Sequence, residues 1–232
     1  MGSKARIAKY ILPIILKDRK DGQWYVEPFV GGANMIDKVD GNRIGADLNS
    51  HLIGALKLIR DYPQSIPDII TEDDYLEASC RRKTQLDGFI GFAMSFGGKW
   101  FGGYRRDVKG TKGCANNMAT QTRRGKASAI KQSKLILGVN IVASSYSDLD
   151  IPPQSIIYCD PPYAGTTKYK DDFNHNEFWQ WCRDKVAEGH KVFVSEYNAP
   201  DDFECIWSKE IQSGLNTNST KKGVEKLFIY KV

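Results

Sequence analysis

The run Ile156-Ile157-Tyr158-Cys159-Asp160-Pro161-Pro162-Tyr163 decides how the rest of the chain is read. Its first four residues are apolar and rich in β-branched side chains, the composition of a buried strand. The run then stops at Asp-Pro-Pro-Tyr. Neither proline has an N–H to give to a ladder, and both fix φ, so Asp160 and the Pro161 carbonyl are held still at the strand's C-terminal end. In open α/β sheets ligands bind at that edge. A carboxylate, a carbonyl and an aromatic face at a rigid corner suit a planar amine, with two acceptors for its two hydrogens and a ring to stack on. The tetrapeptide also fits a strand followed by an ordinary Pro-Pro turn, with Tyr163 as packing. Its meaning therefore depends on what surrounds it.

Towards the N-terminus, Trp24 to Phe29 reads as a strand that runs through Val30 into Gly31-Gly32. A strand, paired glycines and then a helix make the first βα unit of a nucleotide-binding fold, the glycines allowing close approach of backbone to ligand. The pattern is neither GxGxxG nor a P-loop, so a dinucleotide or a nucleoside triphosphate is not favoured. Arg43 to Asp47 reads as the second strand, with Asn49 capping a helix over 51–60. An acid at Asp47, ending that strand, accepts hydrogen bonds from both hydroxyls of a ribose in this architecture. The alternative is a turn acid; the order strand, Gly-Gly, helix, strand, Asp favours the ligand. Upstream, residues 3–17 read as an amphipathic helix on Ile7, Ile11, Ile14 and Ile15, with Ser3 as cap and Pro13 forcing a kink or an early end. Lys4 at its start is either a surface lysine or a contact to an anionic group, because a cation gains nothing there from the helix dipole.

Charge divides the chain. The net charge is +5, yet residues 99–134 hold ten Lys or Arg and one acid, Asp107, so that segment carries +9 and the rest −4. A charge run is usually a solvated face. Here it is interleaved with Trp100, Phe101, Tyr104 and glycines. Cations for phosphates, flat rings for bases and flexible turns are the ingredients of a nucleic-acid-binding loop. Residues 61–82 read as polar and helical with Pro63 and Pro67 as breakers, 89–106 as an aromatic-glycine stretch, 107–124 as a basic loop and 126–137 as a helix returning to the sheet. This places a catalytic domain on 1–60 and 135–232, with 61–134 inserted. Further strands are expected at 139–143, 191–195, 205–211 and 226–231, and a helix at 177–188 capped from Asn174. The segment 164–172 after Tyr163 sits where a lid would sit.

The totals exclude other classes. With 232 residues and 41% hydrophobic residues the chain can bury a real core. No apolar run approaches the roughly 20 residues that span a bilayer, and no signal-peptide pattern is visible. A soluble, cytoplasmic protein without a membrane partner is expected. Five cysteines (Cys80, Cys114, Cys159, Cys182, Cys205) and three scattered histidines offer neither metal-clip spacing nor a closed disulfide set, so no metal site is expected. Cys159 beside Asp160 reads as packing rather than as a nucleophile.

The ordered motifs resemble the Dam-like DNA adenine methyltransferases of the alpha group. The resemblance covers nearly the whole chain: Gly2-Ser3-Lys4, Val26-Glu27-Pro28-Phe29-Val30-Gly31-Gly32, Ala46-Asp47-Leu48-Asn49-Ser50, the stretch from Phe96 to Arg105, Ser145-Tyr146-Ser147-Asp148, Tyr158 to Tyr163, and Asn218-Ser219-Thr220-Lys221-Lys222 before Glu225-Lys226-Leu227. It implies a Rossmann-like S-adenosylmethionine-dependent sheet with an inserted target-recognition region. It also implies methyl transfer to the exocyclic amine of adenine in double-stranded DNA, with base flipping and without a metal. A monomer suffices for that chemistry, and a bacterial or phage source is the family's implication.

Residue by residue, the resemblance implies catalysis by Asp160, Pro161, Pro162 and Tyr163. It implies cofactor contacts at Lys4, Glu27, Pro28, Phe29, Gly31, Gly32, Asp47, Leu48, Ser145, Tyr146 and Asp160. The basic insertion adds DNA contacts at Lys99, Trp100, Tyr104, Arg105, Arg106, Lys109, Lys112, Arg123 and Arg124. Two departures stand out. The family's aromatic residue shortly before the lysine has no counterpart, and 107–124 matches no recognition hairpin, so specificity for GATC is not implied. Three other readings remain: an RNA adenine methyltransferase, an inactive nucleic-acid-binding module on the same scaffold, and an α/β domain for another small ligand.

Overall fold

The structure is a computed structural model that describes residues 4–105, 117–163, 173–212 and 222–231. Among these, seven strands form one sheet: β1 (Tyr25–Glu27), β2 (Arg43–Asp47), β3 (Asn140–Ala143), β4 (Ile156–Cys159), β5 (Lys191–Ser195), β6 (Phe203–Gln212) and β7 (Lys222–Tyr230). Their order is β3-β2-β1-β4-β5-β7-β6. β1 to β5 pair in parallel, with Val26 opposite Ile44 and Ile157. β7 enters antiparallel to both β5 and β6. The order reverses between β1 and β4, so the expected Rossmann-like α/β fold is present, with its ligand crevice at the C-terminal ends of those strands.

Alternation along the strands sends side chains to two separate cores. Val26, Ile44, Ile157, Cys159, Val192 and Val194 face Phe178, Trp179 and Cys182 of helix α6 (His175–Ala187). Tyr25, Ile156, Tyr158, Phe193 and Leu227 face the other side. There they meet Ile7, Ile11 and Ile15 of α1 (Ala5–Ile15) and the buried face of α2 (Ser50–Asp61). The same cluster continues through Ile66, Ile70, Tyr75, Phe89, Ile90, Met94 and Ala129. These belong to the inserted region, built from α3 (Glu72–Arg81), α4 (Gln85–Ala93) and α5 (Asn117–Leu135). The insertion and the sheet therefore share one hydrophobic core. The closest approach is at Gly88 of α4, where any Cβ would lie 2.3 Å from the His51 carbonyl of α2; only glycine permits that crossing.

Caps explain most helix starts. Asn49 accepts from the N–H groups of His51 and Leu52, and Asn174 from those of Asn176 and Glu177. Thr71 and Thr84 form full capping boxes with Asp74 and Asp87. Several expectations need correction. The glycine pair leads into a short 3-10 turn, Ile36–Lys38, not an α-helix. The chain between Glu27 and Arg43 has to turn back within a few residues, and the left-handed Gly31 (φ 50°) and Ala33 (φ 56°) keep it from winding. Residues 117–124, read as loop, lie in α5, a helix of 19 residues whose buried Thr122 accepts from the Ile70 N–H and whose Ala129 joins the core. The start of the aromatic-glycine stretch is α4, whose residues Phe89 and Ile90 are core. α1 starts from Lys4 without a side-chain cap, and Pro13 lies in its last turn, two residues before the end. Ser3 lies outside the described residues, as do Gly2, the segment 164–172, and Asn218 to Lys221.

Candidate active site

Five strand ends converge on one edge. β4 delivers Asp160 and the buried Pro161, followed by the half-buried Pro162 and Tyr163. From the start of α1, Lys4 reaches across to this corner. Its Nζ lies 3.3 Å from Asp160 Oδ1 and 2.8 Å from Glu225 Oε2 of β7. It also donates to the Tyr163 hydroxyl and lies over the Tyr163 ring, 4.4 Å from its centroid. The Tyr163 hydroxyl in turn donates to Glu225 Oε2 at 2.9 Å, and the ring stands edge-on to Tyr197. One ammonium thus serves two carboxylates and a phenol. Lys4 is therefore not a surface lysine: Asp160, Glu225 and Tyr163 engage it.

Burial sets the electrostatics of this group. It pushes Asp160 up to about 6; Lys4 acts against that rise and Glu225 adds to it. Burial alone would lower Lys4, but Asp160 and Glu225 outweigh it and hold the ammonium charged above its usual range. Beneath the corner, Glu27 is 2% exposed and accepts from the Tyr25 hydroxyl at 2.9 Å. Burial raises its carboxyl well above the usual range, with the Tyr25 hydroxyl acting against that rise. The Tyr158 hydroxyl pairs with Ser195 Oγ at 2.8 Å. Cys159 faces the opposite core, where burial pushes its thiol well up; it is packing, as expected, and no nucleophile.

The second half of the edge is built from β1, β2 and β3. The Val30 N–H donates to the Ala46 carbonyl, laying the Gly31-Gly32 turn against the end of β2. Asp47 Oδ2 then accepts from the Gly31 N–H at 3.2 Å, and Oδ1 from the Asn49 N–H at 2.9 Å. Burial raises this carboxyl, with both N–H groups acting against the rise. A Cβ built on Gly31 would meet nothing within 4 Å, so the turn faces open space. Leu48, next to Asp47, is 78% exposed. The Ser144 N–H donates to the Asp47 carbonyl, which brings Ser145 and Tyr146 alongside. The Ser145 hydroxyl is engaged in its own turn with Ser147 and Asp148. The Tyr146 ring stacks on Phe29 at 5.4 Å and joins Phe173, Phe178 and Trp181. Pro28, next to Phe29, is buried.

The cofactor and catalytic residues read from the sequence therefore gather on one sheet edge. Glu225 was missed as a site residue. No spacing rule points to it, since only the antiparallel return of β7 brings it beside Lys4. The nucleic-acid residues are more dispersed. Trp100 stacks on His51 at 4.7 Å and packs on Phe92 and Phe101. The Tyr104 hydroxyl donates to the Ile70 carbonyl, and its ring lies against Tyr75. Both rings are half-buried, Tyr104 packed against the core and Trp100 between α2 and α4. Lys99, Arg105, Arg123 and Arg124 are exposed. Arg106, Lys109 and Lys112 lie outside the described residues, as does Cys114. Among the described residues no group of three His, Cys, Asp or Glu could hold a metal ion, and no helix is long and apolar enough to cross a membrane.

No curated protein sequence matches this chain. Among solved structures, it is similar to that of SMU.472, called a methyltransferase and complexed with SAH, at 10% identity and a TM-score of 0.36. The similarity covers 99% of this chain and 53% of that one, so the chain spans about half the length of that structure's chain. Residues 1–85, which carry Lys4, the Gly31-Gly32 turn and Asp47, match the model of the D12 class N6 adenine-specific DNA methyltransferase family.

Proposed function

We propose that this protein transfers a methyl group from S-adenosylmethionine to the exocyclic amine of adenine in duplex DNA. The observation that carries this reading is the Asp160 carboxylate, held by Lys4 beside the Pro161 carbonyl, on the same strand edge as Asp47 and the open Gly31-Gly32 turn. The family match over residues 1–85 supports it.

The residues fit the cofactor. Asp47 offers two carboxylate oxygens, each with capacity left after one backbone bond, for a pair of vicinal hydroxyls. The Gly31 turn leaves room for an extended chain beside it. When bound, S-adenosylmethionine supplies a methyl group on a positively charged sulfur. The chain's own residues do the rest. Asp160 and the Pro161 carbonyl accept the two amine hydrogens and so aim the nitrogen lone pair. Tyr163, fixed through its hydroxyl by Glu225, offers its ring to an adenine rotated out of the duplex, offsetting part of an unstacking cost of a few kcal/mol. As the amine gains positive character, the fixed Asp160 carboxylate stabilises it. Asp160, near 6, then accepts the proton that the methylated amine releases at neutral pH. Positioning supplies much of the remainder.

The test is transfer of a labelled methyl group from S-adenosylmethionine to unmethylated duplex DNA, wild type beside Asp160→Ala, with modified positions mapped by sequencing. Adenine methylation that disappears in the variant is the expected result. Labelling of RNA and not DNA would move the substrate class, and no labelling of either by wild type would end the proposal.

A further inference from the structure

The sequence puts several aromatic rings in the basic insertion, and the structure packs Trp100 and Tyr104, both half-buried, against neighbouring rings. Among the described residues of 61–134, Tyr62 and Phe96 are the largely exposed rings, and Phe96, 70% exposed, is the one that lies in the glycine-rich stretch beside them. It stands at the start of a loop closed by a bridge between Ser95 and Tyr104. Its own N–H donates to the Gly103 carbonyl, and the Arg105 N–H to the Met94 carbonyl. The buried Ser95 beside it holds the Gly91 carbonyl and the Tyr75 hydroxyl. Gly97 and Gly98, both left-handed at φ 65° and 64°, turn the chain immediately after the ring. An exposed ring is thus mounted on a base held by several backbone hydrogen bonds, which presents it to solvent in a fixed place.

The position of the loop is fixed by His51. That residue opens α2, four positions after Asp47, and its ring stacks on Trp100 of the loop. The loop therefore lies at the edge of the sheet that holds Asp47 and Asp160. Lys99 and Arg105, both exposed, belong to the same loop, the Lys99 N–H donating to the Phe96 carbonyl and the Arg105 N–H to the Met94 carbonyl. A flat apolar ring on a loop that also carries two exposed cations, at the ligand edge of the fold, has the make-up of a nucleic-acid contact, the ring for a base and the cations for phosphates.

We propose that Phe96 is the base-stacking contact of the insertion, its ring placed on or between bases of duplex DNA next to the target, with Lys99 and Arg105 on flanking phosphates. This rests on the proposed function, because it takes duplex DNA as the partner.

The two kinds of contact separate by salt. Stacking carries no charge, whereas each phosphate contact contributes about −0.9 to the slope of log affinity against log salt on duplex DNA. Binding of a labelled duplex, without cofactor, is measured by fluorescence anisotropy across salt concentrations. Phe96→Ala is expected to weaken binding about tenfold with an unchanged slope, and Phe96→Trp to retain affinity. Lys99→Ala and Arg105→Ala are each expected to flatten the slope by about 0.9. Phe96 is exposed, so its variants should melt with the wild type, and a melting curve on each preparation checks this. Wild-type binding that Phe96→Ala leaves unchanged overturns the stacking contact alone. A wild type that does not bind duplex DNA overturns both this inference and the proposed function.

Discussion

Lys4 Nζ and Asp160 Oδ1 face each other at 3.3 Å, and Glu225 competes for the same ammonium at 2.8 Å. Burial raises Asp160, and two opposed neighbours adjust that rise; each of the two can be removed.

Methyl transfer should fall away below a pH of about 6, as protonation takes one acceptor from the amine. Lys4→Met removes a neighbour that lowers Asp160, so the acid limb should move up by about one unit. Glu225→Gln removes a neighbour that raises it, so the limb should move down by a similar amount. The groups facing Asp160 are Lys4 from α1, Glu27 from β1, Tyr158 from β4, Tyr163, Tyr197 and Glu225. A pH–rate profile for the two variants checks the signs. Equal shifts in one direction would show that the cluster does not control Asp160.

Asp160 should also cost stability. Its folded pKa is raised above the ordinary value of 3.8, so the folded state binds the proton more tightly than the unfolded one. Stability then falls as pH rises through the window from about 4 to about 6 and stays low above it. Asp160→Asn removes that charge. It should melt about 2–4 °C higher than wild type at pH 8, corresponding to about 1 kcal/mol, while turnover drops at least ~100-fold. Thermal melts at pH 8 and pH 4.5, where the gap should close, test both signs.

Asp87 behaves in the opposite way. It is fully buried, and burial would raise it. The Arg81 guanidinium and the N–H groups of Thr84 and Lys83 outweigh burial and hold the carboxyl well below the usual range. Its stabilisation is present above the unfolded value near 3.9 and is lost as pH falls towards the folded one. Asp87→Ala breaks the capping box of α4 and takes the acceptor from Arg81 and from the Lys83 and Thr84 N–H groups, at a cost of about 1–2 kcal/mol. Denaturant unfolding at pH 7 reads that loss, and the difference from wild type should shrink below pH 4.

Trp100→Ala should lower stability more than it lowers DNA affinity, because the ring fills the space between His51, Phe92 and the Gly91 backbone. Because the ring is half-buried, a drop of about 1–2 kcal/mol is expected, below the range for a fully buried aromatic. A Trp100 variant that melts normally but no longer binds duplex DNA would reverse the roles assigned to Trp100 and Phe96.

How far the chain could be read without coordinates follows from where the signals are local. The β-branched run ending in Asp160-Pro161, the Asp47 strand and the Asn49 and Asn174 caps each sit within a few residues, and each appears where the pattern places it. The packing of Trp100 and Tyr104 against neighbouring rings is not local. It depends on α4 crossing α2 at Gly88, so composition identifies the aromatic residues but not which of them faces solvent. Glu225 is illegible for a similar reason, since β7 inserts between β5 and β6 and approaches α1 from the far end of the chain. The 3-10 turn after Gly31-Gly32 is not legible either, because the helix expected there follows from the usual order of a βα unit, while the left-handed Gly31 and Ala33 that prevent it are visible only in the backbone.

The single core shared by the sheet and the insertion bears on how such proteins can diversify. Ile53, Leu56 and Ile59 of α2 are covered on one side by the sheet and on the other by α3 to α5. Transplanting residues 62–135 from a relative would bring a foreign surface against that helix, with Gly88 demanding the same close crossing at His51. Wholesale exchange of the segment is thereby penalised, while substitution on its outer loop is cheap. Change in this scaffold is expected to accumulate one exposed side chain at a time around Phe96, Lys99 and Arg105, behind which the packing stays fixed.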